Sequence, residues 1–114
     1  MAFEQQQVGT VQIIRLVGRL DSGNAPELEA AVRESLAAGA SRLLFDFAAL
    51  DYISSAGLRV VLVAGKALRG QSPAGRLAMC GLRGMVLEVF EMSGFLNLFP
   101  VADDREAALA QLQA

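Results

Sequence analysis

The sequence predicts an α/β domain in which one sheet carries helices packed on it. Three observations predict it. Two short runs, Phe3–Val8 and Val11–Val17, flank Gly9–Thr10 at the start, short apolar segments then alternate with helical patterns, and Leu43, Leu44, Phe45 and Phe47 make a short apolar run interrupted only by Asp46. Such a run suits a strand buried on both faces, and alternating strands and helices pair in parallel through right-handed crossovers. The 114 residues fall within the range of one domain, expected over 1–114.

The elements follow in order. Phe3–Val8 and Val11–Val17 read as a β-hairpin, the second run being β-branched with partial alternation. Gly18–Gly23 breaks the pattern. Asn24 with Glu27 three residues on resembles a capping box, with Pro26 in the first turn of the helix that follows. Leu28, Val32 and Leu36 make its buried stripe, and Gly39 stops it. The central strand, Leu43–Phe47, gives way at Asp46–Ser55 to a helix over Ala56–Arg69, whose apolar set is Leu58, Val61, Leu62 and Leu68. Strand Arg76–Cys80, helix Arg83–Met92 with Gly94 behind it, strand Leu96–Val101 and helix Asp103–Gln113 complete the chain. Asp103 and Asp104 suit the positive end of the last helix. Phe90, Met92, Phe95, Leu96, Leu98 and Phe99 are expected to pack as core.

Composition narrows the function. Net charge is −2, and the ten basic residues are scattered rather than clustered, so no stripe is expected to neutralise nucleic-acid phosphates. There is no histidine, which removes a Ser-His-Asp triad, a Cys-His pair and a histidine-ligated zinc site. The single cysteine, Cys80, lies in an apolar run and reads as a small core hydrophobe. Neither G-x-x-x-x-G-K-[ST] nor G-x-G-x-x-G occurs, and Gly65, Gly70 and Gly75 read as a helix end rather than a phosphate cradle. Asp46 and Asp51 could pair as catalytic carboxylates, but no electrophile or metal shell accompanies them. The expectation is a protein that is not an enzyme and needs no cofactor. The N-terminus lacks a signal-peptide pattern, and no apolar run approaches the ~20 residues of a membrane span, so the expected location is the cytoplasm, without membrane insertion. At 54% hydrophobic residues, the chain has apolar surface to spare for a partner.

The informative stretch is Leu50-Asp51-Tyr52-Ile53-Ser54-Ser55-Ala56-Gly57-Leu58, where a strand ends and a helix begins. Ser54 or Ser55 can cap that helix by accepting a hydrogen bond from an early N–H, worth about 1 kcal/mol. The same two hydroxyls, beside Ala56 and Gly57, also form a low surface that a partner's active site could approach. Phosphorylation there would add about −1.5 to −2 charges. A helix start tolerates that charge and a docked partner need not, which is how a reversible switch behaves. Further along the helix, Arg59, Val60, Val63 and Lys66 fall on a different face from Leu58, Val61 and Leu62, either as a partner surface or as a second part-buried face.

Three motifs together carry a resemblance: Leu20-Asp21, then Asp51-Tyr52-Ile53-Ser54-Ser55-Ala56-Gly57-Leu58, then Phe90-Glu91-Met92-Ser93-Gly94-Phe95. In this order they resemble the STAS domain, in particular the stand-alone anti-sigma factor antagonists, over nearly the whole chain. The resemblance implies a mixed sheet of four to five strands with about four helices, packed on one side. It also implies binding to an anti-sigma factor with serine kinase activity, which phosphorylates the antagonist, and a phosphatase that restores it. By position the acceptor is Ser55. Ser54 and Ala56 stand where antagonists often carry an aspartate and a hydroxyl residue, so Ser54 is an alternative acceptor. Asp21 matches an acidic position near the acceptor. The expected partner-binding residues are therefore Asp21, Ser54, Ser55, Ala56, Gly57, Arg59, Val63 and Lys66. Two other roles remain open: a STAS component of a transporter or multiprotein signalling complex that works without phosphorylation, and a small-ligand sensor.

Overall fold

The computed structural model describes residues 3–113; Met1, Ala2 and Ala114, part of the expected domain, lie outside the described residues. Strand β1 (Phe3–Val8) turns into β2 (Val11–Leu20), followed by α1 (Ala25–Ala37), β3 (Arg42–Ile53), α2 (Ser55–Arg69) and β4 (Arg76–Cys80). Then come α3 (Gly84–Ser93), a 3₁₀ turn (Phe95–Asn97), β5 (Val101–Ala102) and α4 (Arg105–Gln113). The strands lie in the order β1-β2-β3-β4-β5, with β1 antiparallel to β2 and every later pair parallel.

Alternation along the strands sends side chains to two faces. On one, Ile14, Leu16, Leu43, Phe45, Phe47 and Met79 pack against Leu28 and Val32 of α1, Val61 and Leu68 of α2, and Phe90 of α3. On the other, Val11, Ile13, Leu44, Ala78 and Cys80 pack against Ala108 and Leu112 of α4. Helices thus cover both faces, not one side as the resemblance implied. The second face is apolar along β2, β3 and β4 and requires a cover of its own. Arg105 pins that cover: its Nε and Nη2 donate to Asp46 Oδ2 at 3.2 and 3.1 Å, and its Nη1 donates to Gln6 Oε1. The other Asp46 oxygen accepts the Ala48 N–H, so this buried carboxylate is partnered on both oxygens. Cys80 is buried beside it as expected. Burial first, then the neighbouring Asp46 carboxylate, pushes its thiol up to about 12.

Several expectations change. β2 runs three residues beyond Val17, and β3 continues six residues beyond Phe47, to Ile53. Two bulges on β3 shift the register, between the pairs Arg15↔Asp46 and Val17↔Ala49 and again between Gly18↔Leu50 and Arg19↔Tyr52. Helix α1 starts after Asn24 without a capping box. The Asn24 side chain instead accepts from the Asp21 N–H and donates to Arg19 O, tying the incoming loop. The expected strand Leu96–Val101 is a 3₁₀ turn followed by a two-residue strand. Gly94, with φ 79°, turns the chain left-handed at the end of α3, and Pro100 has no N–H for a ladder. Phe90 and Phe99 are core, but Met92 is 87% and Leu98 42% exposed. Gly65 is no helix end: it lies inside α2 against the Phe99 ring.

Candidate functional site at the start of the second helix

The site is set by where two strands stop together. Leu20, the last residue of β2, pairs with Ile53, the last of β3, and Leu20 O accepts the Ser54 N–H at 2.9 Å. The Asp21 loop and the α2 start are thereby carried to one end of the sheet. Ser54 has extended backbone angles and is the N-cap: its Oγ accepts from the Gly57 N–H at 3.4 Å. Ser55 is the first helical residue and is exposed, and its hydroxyl has no hydrogen-bond partner among the described residues. The capping role therefore falls to Ser54, and Ser55 is left with an exposed side chain.

The first turn of α2 holds no acidic side chain, so its positive end is uncompensated by its own sequence. Asp21 is half-buried in the neighbouring loop. Its Oδ1 accepts the Gly23 N–H at 2.9 Å and its carbonyl accepts the Ala25 N–H at 2.8 Å, so it shapes the entry to α1. Gly57 differs from the expectation of a low outer surface. It is buried, and a Cβ there would sit 2.8 Å from Ile53 Cγ1 and from Leu20 Cγ and Cδ2. Its bare backbone lets α2 rest on the two strand ends, and it offers nothing to a partner directly.

Along α2, Arg59, Val63 and Lys66 recur at helical spacing on one face. The Arg59 and Lys66 side chains are exposed without a hydrogen-bond or ion-pair partner among the described residues, while Val63 between them is half-buried. Val60, grouped with them on sequence grounds, is buried. Ala56 and Arg59 also line a groove of about 460 Å³ between α1 and α2, whose far wall includes Pro26, Glu29 and Arg33.

Two contacts at this end escaped sequence reasoning. Arg83, just before α3, donates from Nε to Ala48 O at 2.8 Å and from Nη2 to Asp51 at 3.1 Å, bracing the outer part of β3. The Arg19 guanidinium lies over the Tyr52 ring, 4.1 Å from its centroid. Arg83 and Asp51 are 32 residues apart, and no local pattern joins them. Arg19 and Tyr52 meet only because the bulged register sets them opposite. No cluster of three or more His, Cys, Asp or Glu that could hold a metal occurs among the described residues, and no helix there is long and apolar enough to cross a membrane. The chemistry on offer is an exposed hydroxyl at a helix start, beside a basic helix face.

Comparison with known proteins agrees with the three motifs. The sequence profile of the STAS domain matches residues 2–108. A Bordetella bronchiseptica protein named as anti-sigma factor antagonist BtrV is 46% identical over 110 residues, covering 96% of this chain and 93% of the relative. The crystal structure of a Thermotoga maritima protein described as an anti-sigma factor antagonist superposes with a TM-score of 0.91 over 98% of this chain and 95% of that one, at 19% identity, a likeness of fold alone. The Bacillus cell fate determinant SpoIIAA, in its phosphorylated form, superposes with a TM-score of 0.74 over 93% of this chain and 96% of that one, at 27% identity.

Proposed function

We propose a role that starts from what the chain is: it belongs to the STAS domain family. It acts as an anti-sigma factor antagonist, binding an anti-sigma factor that is also a serine kinase and so freeing the sigma factor. It works by occupying a surface, not by catalysis. The observation that carries this reading is the split between the serines: Ser54 is committed to the cap, and Ser55 is exposed with a free hydroxyl. The relative bearing the antagonist name supports it, as does the likeness to SpoIIAA, a protein known in a phosphorylated form.

In the switching step the γ-phosphoryl group of ATP passes to Ser55 Oγ, the hydroxyl proton leaves and ADP is released. A phosphatase reverses it by passing the group to water as inorganic phosphate. The added dianion meets the positive end of α2 and is tolerated by the fold. The docked kinase surface meets the same charge desolvated and is expelled. Ser54, whose oxygen is engaged with the Gly57 N–H, is the less available acceptor.

The docking surface comprises the Asp21 loop, Ser54, Ser55, Ala56 and the stripe Arg59, Val63 and Lys66, with Gly57 beneath it as packing. The test is a pull-down with a candidate kinase anti-sigma factor. Parent protein and Ser55→Ala should be captured one-to-one, and Ser55→Asp should not. Capture of Ser55→Asp at parental strength, with only unmodified chain after incubation with kinase and ATP, would favour a STAS component that works without phosphorylation.

A further inference from the structure

The end of α2 remote from the serines carries a feature that the antagonist role does not use. β5 pairs only with Met79 and Cys80, so beside the first residues of β4 the sheet simply ends. A cavity of about 570 Å³ opens there between the second half of α2, β4, residues 98–100 and α4. That volume lies within the roughly 300–1,000 Å³ of ordinary ligand sites. Its walls are mainly apolar: Leu68, Leu77, Leu98, Phe99 and Leu112 all contribute.

Among the described residues the charged lining is of one sign, two arginines and no carboxylate side chain. Arg69 donates from Nη2 to Leu98 O at 2.7 Å, and its guanidinium lies over the Phe99 ring, 5.2 Å from the centroid. That fixes the side chain beside the cavity while Nε and Nη1 have no hydrogen-bond partner among the described residues. Arg76, on the opposite side, donates to Gln111 O. A site with greasy walls and an anchored cation keeping two donor nitrogens in reserve calls for a ligand that is apolar along its length and anionic at one end.

A peptide strand fits less well. Arg76 N–H already donates to Ser41 O on the β3 side, so of residues 76–78 only Leu77 turns its backbone outward, too little to register a strand. A peptide would also bring N–H and C=O groups into a place that cannot pair them. We propose that this cavity binds a fatty acid, with the acyl chain lying between Leu68, Leu77, Phe99 and Leu112 and the carboxylate held by Arg69.

The chain contains no tryptophan, so Leu98→Trp, at a part-exposed wall position, provides a local fluorescence reporter. Sodium dodecanoate, titrated below its micelle concentration, should shift the emission to the blue and saturate at one molecule per chain. In the same background Arg69→Gln should weaken dodecanoate at least tenfold, while dodecanol, which lacks the charge, binds both proteins equally. Far-UV circular dichroism checks that each variant is folded. Absence of a saturable shift would overturn the site. Equal dodecanoate affinity with and without Arg69, or dodecyltrimethylammonium binding as tightly as dodecanoate, would overturn the assignment of ligand class. Loss of dodecanol as well in Arg69→Gln would show that Arg69 holds the walls together and not the carboxylate, and would overturn it equally.

Discussion

The ring of Phe99 lies so close to Gly65 that a methyl group on that glycine would sit 2.3 Å from Cε1 and Cζ. An alanine in mid-helix normally stabilises by about 1 kcal/mol relative to glycine. Here the sign should reverse. Gly65→Ala is expected to cost about 1–3 kcal/mol in urea unfolding, because the ring must leave its place. Adding Phe99→Leu should cancel part of that cost, and the non-additivity of the double-mutant cycle measures the contact.

The two serines should separate by stability. Ser54→Ala removes the oxygen that accepts the Gly57 N–H and is expected to cost about 1 kcal/mol. Ser55→Ala touches an exposed side chain and should fall within about 0.5 kcal/mol of the parent. Equal losses at both positions would mean that the capping duty is shared.

Binding should separate them the other way. After incubation with kinase and ATP, intact-mass measurement should find a single phosphate on parent protein and on Ser54→Ala, and none on Ser55→Ala. A phosphate retained in Ser55→Ala would move the acceptor to Ser54.

The basic stripe on α2 should govern association. Reversing both charges, Arg59→Glu with Lys66→Glu, removes the positive face offered to the partner. Surface plasmon resonance should show a slower on-rate and a flatter dependence on salt. The fold should be little affected, since neither side chain has an ion-pair partner to lose among the described residues.

Cys80 makes the protein sensitive to base. Its folded thiol is held up at about 12 against an ordinary 9.0. Above pH 9.0 the unfolded chain ionises there while the folded chain does not, so stability present below that pH is lost as pH rises towards about 12. The slope contributed is about 1.4 kcal/mol per pH unit. Cys80→Ala should flatten unfolding free energy against pH in this window. In native protein the thiol should resist an aromatic disulfide reagent until urea is added.

How much of this was legible follows from local pattern. β2, α1, α2, the short strand β4 and α3 each carry an apolar pattern at their own period, which makes them legible even though β2 runs three residues past Val17, whereas β1, with Glu4 to Gln7 exposed, is marked only by the turn at Gly9–Thr10. β3 was cut short because its two bulges insert extra residues, so Leu50 and Ile53 are three apart instead of alternating. The last strand was overdrawn because Leu96, Leu98 and Phe99 look like a strand run. Only Phe99 is buried, and it is buried by Gly65. A glycine in mid-helix was the available sign of that close approach. The positions of Ser54 and Ser55 are readable from the strand-to-helix junction, and the exposure of Arg59 and Lys66 from the helix face they share. The inward turn of Gly57 was not, since it depends on Leu20, far away in the chain.

The cap on Ser54 has one more consequence. Because structural duty rests on one hydroxyl and chemical availability on its neighbour, a mark placed on Ser55 is written beside the fold's supports, not into them. Under the proposed switch, many rounds of marking and erasure would pass without partial unfolding between rounds. The pace of such a cycle would then belong to the enzymes that write and erase, with the domain as a passive, reusable token.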